Sequence, residues 1–223
     1  MPRIRLLRGE RHREFVLNYS QELNYLAATN GDLHDIGLLI LDTGLRMGEV
    51  LDLEWPDVRL EPADGADYGY LTVRARNSKN SKSRNLPLTA RVLEMLTRRA
   101  GSKSDGLVFL GTKEGAKLCQ TWINEQHRNI RDLLKLPKEF VPHSLRHTFR
   151  TRLGESGADA FTIMKLMGHS TVTVSQRYVH PSPESMERAV GRMDTLNTRK
   201  LLEVQEVGIL SGISKASITP AVH

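Results

Sequence analysis

Apolar residues recur at helical spacing through the first part of the chain. Between residues 11 and 28 they return every three or four positions, which predicts a first helix that ends near Gly31. The largely apolar run 33–41 predicts a second helix, buried on most sides. A break at Gly44 follows, and a third helix is expected to begin at Arg46.

After Pro56 the apolar period shortens to two, which is typical of half-buried strands. Segments 58–60, 69–74 and 84–88 each show this alternation. They predict a small three-stranded antiparallel sheet, and the last connection of that sheet carries Lys79.

Helical spacing returns beyond the sheet. Thr89 can cap a helix that runs to about Arg99, and a short apolar run at 107–110 precedes another helix predicted over 121–134. The apolar residues assigned to one face of this later helix are Trp122, Ile123, Ile130, Leu133 and Leu134. Its lone histidine, His127, is more typical of a core or surface position than of a functional one.

Three more helices are predicted towards the end of the chain. One begins at Pro142 and breaks at 155–158, a short one runs from Asp159 to Gly168, and an amphipathic one follows Pro183. The whole pattern predicts an α+β fold that is mainly α-helical, with a small three-stranded antiparallel sheet.

Composition narrows the class of protein. The 223 residues can form one sizeable core, and 32 Lys and Arg against 26 Asp and Glu give a net charge of +6, which favours a polyanionic partner. A single cysteine excludes an internal disulfide framework. No apolar run approaches the ~20 residues that cross a bilayer, and the first residues lack the apolar segment of a signal peptide. We therefore expect a cytoplasmic protein with no membrane partner.

The basic residues are concentrated in two blocks. Residues 1–13 hold five arginines and one glutamate, and residues 74–99 hold eight basic residues and one acidic residue. The acidic block over 49–67 is typical of a solvated face. In the second basic block, Lys82 and Arg84 can each bind DNA backbone phosphates without reading sequence. The phosphate contacts expected from the first block are Arg3, Arg5, Arg8, Arg11 and Arg13.

Candidate chemistry lies on the helix that begins at Pro142. With proline in the first turn, His143 and Arg146 lie three apart and share one face. Leu145 and Phe149 then fall on the opposite side, which is expected to be buried. The helix therefore presents a polar face backed by the core.

Two kinds of ligand fit such a face, a metal ion and an anion. His143 and His147 have the spacing of a helical metal site, but Ser144 stands where zinc proteases need glutamate, and Cys119 lies far away. We therefore predict no metal. The planar fork of Arg146 matches phosphate, and imidazole can move a proton near neutral pH, so the set favours a phosphate ligand.

The polar residues of this stretch resemble a known family. Together they resemble the catalytic core of the tyrosine recombinases, the phage-integrase family. The matching motifs are His143-x-x-Arg146, then Gly168-His169, then Tyr178 nine positions after His169. A lone tyrosine is commonly a core aromatic, but Tyr178 stands beside a chain break, where its hydroxyl can reach a surface cleft.

Two upstream segments extend the resemblance. Residues 43–58 resemble the first arginine box of the family, and residues 79–88 resemble its lysine-bearing β-hairpin. Each box alone is a weak signal, but all four occur in the family's order between about residues 23 and 181.

The resemblance implies cleavage of DNA by a tyrosine nucleophile. Tyr178 would attack a backbone phosphorus and form a covalent 3′-phosphotyrosine, and His143 would accept the phenol proton. Arg46 and Arg146 would stabilise the charge that develops on the phosphate oxygens. No metal or other cofactor is implied, and rejoining the strands needs neither ATP nor magnesium.

Further residues complete the implied set. His169 would donate to a phosphate oxygen, and Lys79 would protonate the departing 5′ oxygen, with Lys82 as the alternative for that role. Glu49 and His147 would act as supporting residues, and Glu49 is also three positions from Arg46, the spacing of a helical ion pair.

We therefore expect a site-specific DNA recombinase or integrase. The alternatives are strand relaxation of the type IB topoisomerase kind and a DNA-binding regulator without catalysis. The expected partners are double-stranded DNA and further copies of the chain. We expect the protein to be a monomer in free solution and a tetramer on DNA.

The expected domains are a basic arm or linker remnant over 1–13, a catalytic domain over 14–199 and a tail over 200–223. The tail either exchanges between protomers, or folds back on its own chain or stays mobile. Two departures from the family stand out. Ser144 stands where the family often has aspartate, and only a basic stub precedes the catalytic part, as in an isolated catalytic domain or a minimal recombinase.

Overall fold

A computed structural model of this chain describes residues 15–63, 65–75, 83–111, 116–176, 178–179 and 183–210. The chain divides into two compact units, Met1–Val179 and His180–His223. In their described parts, the first unit contains eight α-helices and the small sheet, and the second contains one helix. The predicted α+β architecture is confirmed.

Helix α1 (Tyr19–Ala28) begins later than its apolar pattern predicts. Residues 15–18 are not helical, so the prediction of a helix over them is wrong, and the earlier residues lie outside the described part. The cause is a capping box at Asn18, whose side chain accepts from Gln21 N at 2.8 Å while its own N–H donates to the Gln21 side chain at 3.0 Å. Leu17 still packs into the core, but from outside the helix.

Helix α2 (Gly31–Thr43) forms the centre of the first unit. Ile36, Leu39 and Ile40 are almost wholly buried, as the apolar run predicts. The helix packs against several others, which are α1, α3 (Met47–Leu51), α4 (Ala90–Ala100), α5 (Gln120–Leu133) and α6 (Pro142–Glu155). It therefore fixes the positions of the helices that carry the polar residues singled out above.

Strands β1 (Val58–Arg59), β2 (Tyr70–Val73) and β3 (Arg84–Pro87) form one antiparallel sheet in the order β1-β2-β3. In the register of the sheet, Leu71 pairs with both Val58 and Leu86. The predicted sheet is confirmed, with each strand one or two residues shorter than expected. The connection over 76–82, which carries Lys79 and Lys82, lies outside the described residues.

Thr89 caps α4 as predicted, since its side chain accepts from Val92 N. In α5, the prediction that Trp122 and Leu133 lie on the buried face is wrong, because they are 40% and 70% exposed. Adjacent residues of a helix point about 100° apart, so the neighbours of a narrow buried stripe face solvent. The members of that stripe, spaced by four and three, are Ile123, His127, Ile130 and Leu134.

His127 is a core residue, one of the two expected positions. The Tyr25 hydroxyl lies 2.9 Å from its Nδ1, and the Phe140 carbonyl oxygen lies 3.1 Å from its Nε2. The carbonyl can only accept, so Nε2 carries the proton and the hydroxyl donates to Nδ1. Burial lowers the pKa of His127 to about 4.

Helices α7 (Ala160–Met167) and α8 (Thr173–Gln176) complete the helices of the first unit in its described part. The second unit contains α9 (Pro183–Leu210), which continues through the domain boundary expected between residues 199 and 200. Its exposed apolar side chains include Met186, Val190, Met193, Leu196, Leu201 and Leu202. Within the described residues, no helix is long and apolar enough to cross a membrane.

Candidate active site

The beginning of α6 fixes the first of the predicted site residues. Pro142 stands in the first turn, as predicted, and Ser144 caps the helix, because its Oγ accepts from Val141 N at 3.1 Å and donates to the Glu139 carbonyl at 3.2 Å. Ser144 thus serves as helix support. His143 is exposed at this end of the helix.

Arg146 turns inward from the same helix and is only 3% exposed. Its guanidinium donates to two carbonyls at helix ends, those of Gly44 after α2 and Met167 in α7, the latter at 2.5 Å. Burial and the nearby charge of Arg46 lower the pKa of Arg146 to about 9. The group is therefore still a cation at neutral pH.

Arg46 precedes α3 and is held by Glu49, as the spacing predicts. Arg46 Nη1 lies 2.9 Å from Glu49 Oε1, and the Arg46 backbone N–H donates to Oε2 at 2.8 Å. The other end of the guanidinium donates to the Gly168 carbonyl at 3.1 Å, across 122 positions of sequence. Arg46 therefore ties the start of α3 to the end of α7.

Arg84, which was predicted to contact DNA, binds the same Glu49 carboxylate. Its two terminal nitrogens lie 3.1 and 2.8 Å from the carboxylate oxygens, and its Nε donates to the Leu166 carbonyl at 3.0 Å. Burial alone would raise the pKa of Glu49, but the hydrogen bonds and charges of Arg84 and Arg46 lower it below its ordinary value. Glu49 therefore stays ionised and fixes both guanidinium groups.

His169 follows the end of α7, where Gly168 adopts the left-handed conformation with φ of +61°. A Cβ at Gly168 would lie 2.8 Å from the Arg84 guanidinium, so both the backbone and the space require glycine here. His169 Nδ1 lies 3.0 Å from Ser175 Oγ in α8. Ser175 is a contact that the sequence did not predict.

Four arginines surround His169 closely enough to affect its charge. Burial, followed by the positive charges of Arg146, Arg150, Arg46 and Arg84, lowers the pKa of His169 to about 4. The ring is therefore neutral at neutral pH and can donate a hydrogen bond without adding a further charge. Two of these arginines also bind the residues that precede His169, since Arg46 donates to the Gly168 carbonyl and Arg146 to the Met167 carbonyl.

Tyr178 comes back onto α6 just after α8. Its ring lies under the Arg150 guanidinium, with 3.7 Å from the guanidinium carbon to the ring centroid. Its backbone lies against Gly154, where an added Cβ would be 1.9 Å from the Tyr178 carbonyl oxygen. The side chain is half-buried, which leaves part of it accessible.

Arg150 is a site residue that the sequence did not predict, although its position four residues after Arg146 is a signal that could have found it. Its Nη2 lies 2.6 Å from His147 Nδ1. The His147 ring in turn meets the His143 ring edge to face, at 4.6 Å between centroids. A line of contacts thus runs along α6 from His143 to Tyr178.

A cavity of about 430 Å³ opens beside the start of α6. Its apolar floor includes Ile40 and Leu45, and His143 and Arg146 lie on its wall with Arg128 of α5. Among the described residues, no group of three or more His, Cys, Asp or Glu side chains is arranged to hold a metal ion.

The other predicted site residues lie outside the described residues. They are Lys79, Lys82, Arg3, Arg5, Arg8, Arg11 and Arg13.

The model of the phage integrase family matches residues 19–185. The tyrosine recombinase XerA of Pyrococcus furiosus is 28% identical over 169 residues, which are 72% of this chain and 54% of that protein. The chain spans about half the length of the curated relatives it matches.

Two solved structures show the same fold. The Tn1549 transposon integrase, in complex with a circular intermediate DNA, has a TM-score of 0.65 at 22% identity over 83% of this chain and 68% of that one. The catalytic domain of bacteriophage HP1 integrase has a TM-score of 0.56 at 26% identity over 79% of this chain and 93% of that one.

Proposed function

The chain belongs to the phage integrase family of tyrosine recombinases, and from this premise we propose that it cuts and rejoins double-stranded DNA at specific sites. One observation carries the proposal. Arg46 and Arg146 bind the carbonyls of Gly168 and Met167, which directly precede His169, and Tyr178 packs on α6 through Arg150. Positive charge, a neutral hydrogen-bond donor and a phenol are the groups that phosphoryl transfer to tyrosine requires.

In the proposed reaction, the Tyr178 oxygen attacks the phosphorus as the bond from phosphorus to the 5′ oxygen breaks. The phenol proton passes to His143, and the departing 5′ oxygen takes a proton from Lys79 or Lys82. A 5′ hydroxyl then attacks the phosphotyrosine and releases Tyr178. One phosphodiester replaces another at each step, so no external energy source is needed.

The electrostatics of the site support this assignment. Arg46 keeps 27% of its side chain exposed and can reach a phosphate, while the buried Arg146 adds positive charge behind it. Both act where negative charge develops on the non-bridging oxygens. His169, neutral at neutral pH, donates a hydrogen bond there.

Trapping of the covalent intermediate tests the proposal. A nicked suicide substrate that loses its 5′ hydroxyl after cleavage should accumulate a protein–DNA adduct with the wild type, in buffer containing EDTA. Tyr178→Phe removes the attacking oxygen and should give no adduct in a denaturing gel. Because EDTA leaves no free divalent metal, the same experiment tests metal independence.

Tyr68→Phe is the matched control, since Tyr68 is an exposed tyrosine of the same unit. This variant should react like the wild type. Adduct formation by Tyr178→Phe would exclude Tyr178 as the nucleophile. Recombinant product from a plasmid with two target sites, rather than relaxed plasmid alone, would separate strand exchange from relaxation.

The proposal extends to partners and domains. The chain is proposed to be a monomer in free solution and to assemble on DNA as a tetramer. Residues 1–13 act as a phosphate-binding arm and residues 14–199 as the catalytic domain. The tail over 200–223 either docks on a neighbouring protomer or folds back. Exposed apolar side chains at its start, Leu201 and Leu202, support a docking role.

A further inference from the structure

We propose that Arg150 is a positioning residue that clamps the Tyr178 ring against α6 and aligns it with His147. The inference rests on the proposed function, because it concerns the tyrosine assigned there as nucleophile. It adds a residue that the family resemblance did not suggest.

Three observations place Arg150 between the two rings. Its residue is 6% exposed, its guanidinium carbon lies 3.7 Å from the Tyr178 ring centroid, and its Nη2 lies 2.6 Å from His147 Nδ1. The stack and the hydrogen bond use different parts of one planar group, the face and the edge. Arginine can therefore hold both partners at once, which the point charge of lysine cannot.

The hydrogen bond also sets the proton position on His147. A guanidinium can only donate, so Nδ1 of His147 accepts and Nε2 carries the ring proton. The orientation of His147 then fixes its edge-to-face contact with the His143 ring. The proposed nucleophile and the proposed base are thus linked through Arg150 and His147.

The stack favours the reaction in two ways. A desolvated cation over an aromatic face is attractive and restricts the ring to one position, and a near-attack geometry depends on such restriction. A nearby positive charge also favours the negative charge that the phenol oxygen acquires as it loses its proton. Loss of the clamp should therefore slow cleavage without weakening DNA binding.

The test compares Arg150→Met and Arg150→Lys with wild type in single-turnover adduct formation, alongside DNA affinity and Tm. Arg150→Met keeps the stem but removes charge and donors, and its rate should fall by about tenfold or more, with affinity within about twofold. Arg150→Lys restores the charge alone and should give an intermediate rate. If Arg150→Met does not fold, Arg150→Lys decides the test. A wild-type rate in Arg150→Lys would overturn the proposal, and a reduced rate with unchanged DNA affinity would support it.

Arg152→Met is the matched control. Arg152 lies two residues further along the same helix and stacks on another tyrosine, Tyr19, at 4.2 Å. This variant should lose some stability and keep the wild-type rate. A wild-type rate in Arg150→Met would overturn the proposal. The proposal would also be overturned if the rate of Arg150→Met fell only in proportion to its folded fraction and Arg150→Lys reacted no faster than Arg150→Met.

Failure of the proposed function is recognised separately. If Tyr178→Phe still forms an adduct, the nucleophile is wrong. The clamp is then tested by a double-mutant cycle of Arg150→Met and Tyr178→Ala in urea unfolding. Non-additive losses of stability support the contact, and additive losses overturn it.

Discussion

Three arginines of the site are fixed by hydrogen bonds to oxygen atoms of the protein. Arg146 donates to carbonyls at the ends of α2 and α7, whereas Arg46 and Arg84 share the carboxylate of Glu49. A carboxylate shared by two guanidinium groups restricts both, because charge-assisted hydrogen bonds are short and directional. The positions of the cations are therefore set by the protein itself.

A buried residue of α5 should make stability depend on pH. The folded pKa of His127, about 4, lies below its ordinary value of 6.5, so the unfolded chain binds more protons between these values. Stability from this group is complete above pH 6.5 and is lost as the pH falls towards 4. From pH 7 to pH 5 the expected loss is about 2 kcal/mol, measured by urea unfolding at both pH values. His127→Gln should reduce this pH dependence while lowering stability at pH 7.

Tyr25→Phe distinguishes burial from hydrogen bonding as the cause of the low pKa of His127. It removes the hydroxyl that donates to His127 but keeps the buried rings. We expect lower stability at both pH values and an unchanged difference between them. A pH dependence in His127→Gln equal to that of the wild type would contradict the assignment to this residue.

Sequence reasoning found the pairs that are close along the chain and missed the distant ones. The Arg46–Glu49 pair follows from a three-residue spacing. The bond from Arg84 to the same carboxylate spans 35 positions, and no local period encodes it. Alternation correctly placed the strand that carries Arg84, but it could not show that the guanidinium points to Glu49.

At the scale of elements, α6 presents one stripe of residues that leads towards Tyr178. His143, His147, Arg150 and Gly154 are spaced by four, three and four, so they lie along one face of the helix. The first is exposed, the next two contact each other, and the last receives the backbone of Tyr178. One helix therefore positions both ends of the proposed proton path.

Gly154→Ala should disturb this arrangement. The added Cβ would meet the Tyr178 carbonyl at 1.9 Å, so the turn that carries the tyrosine must move. A displacement near 1 Å of a reacting group can cost about 100-fold in rate. We expect a loss of that order in single-turnover adduct formation, with DNA affinity retained.

Gly191→Ala in α9 is the control, since nothing lies within 4 Å of the added Cβ there. Alanine is favoured over glycine inside a helix by about 1 kcal/mol, so this variant should keep its rate and gain some stability. If Gly154→Ala reacts as fast as Gly191→Ala, the contact does not position Tyr178.

The existence and type of most elements were predictable from periodicity, while the short helix α8 and several boundaries were not. The capping box at Asn18 makes α1 start later than its apolar pattern predicts. The buried stripe of α5 is too narrow to include Trp122. Both depend on single side chains and on which partner helix is present. A period of 3.6 or 2 does not contain that information.

At the scale of the whole molecule, positive charge exceeds negative charge by six. DNA binding by such a chain should weaken with salt, because each phosphate contact releases counterions. The domain boundary expected at 199/200 stays a prediction, and α9 is helical on both sides of it.

Replacing the five arginines of residues 1–13 by glutamine tests the proposed arm. Each lost phosphate contact should reduce the slope of log affinity against log salt by about 0.9, so the full set can change it by about 4.5. Filter binding or fluorescence anisotropy over a salt series measures the slope. Arg98→Gln serves as control, because Arg98 is paired with Asp35 at 2.7 Å, and its slope should match the wild type. An unchanged slope in the arm variant would show that the arm does not bind DNA.

Burial and the positive charges of Arg46, Arg84 and Arg150 lower the pKa of Arg146. A polyanion bound next to these arginines offsets the repulsion between them. Binding of the polyanion and conformational stability are therefore thermodynamically coupled. The same chain should therefore resist heat and proteases better when associated with nucleic acid than when diluted away from it. Protein molecules that are not bound to nucleic acid would then be degraded first.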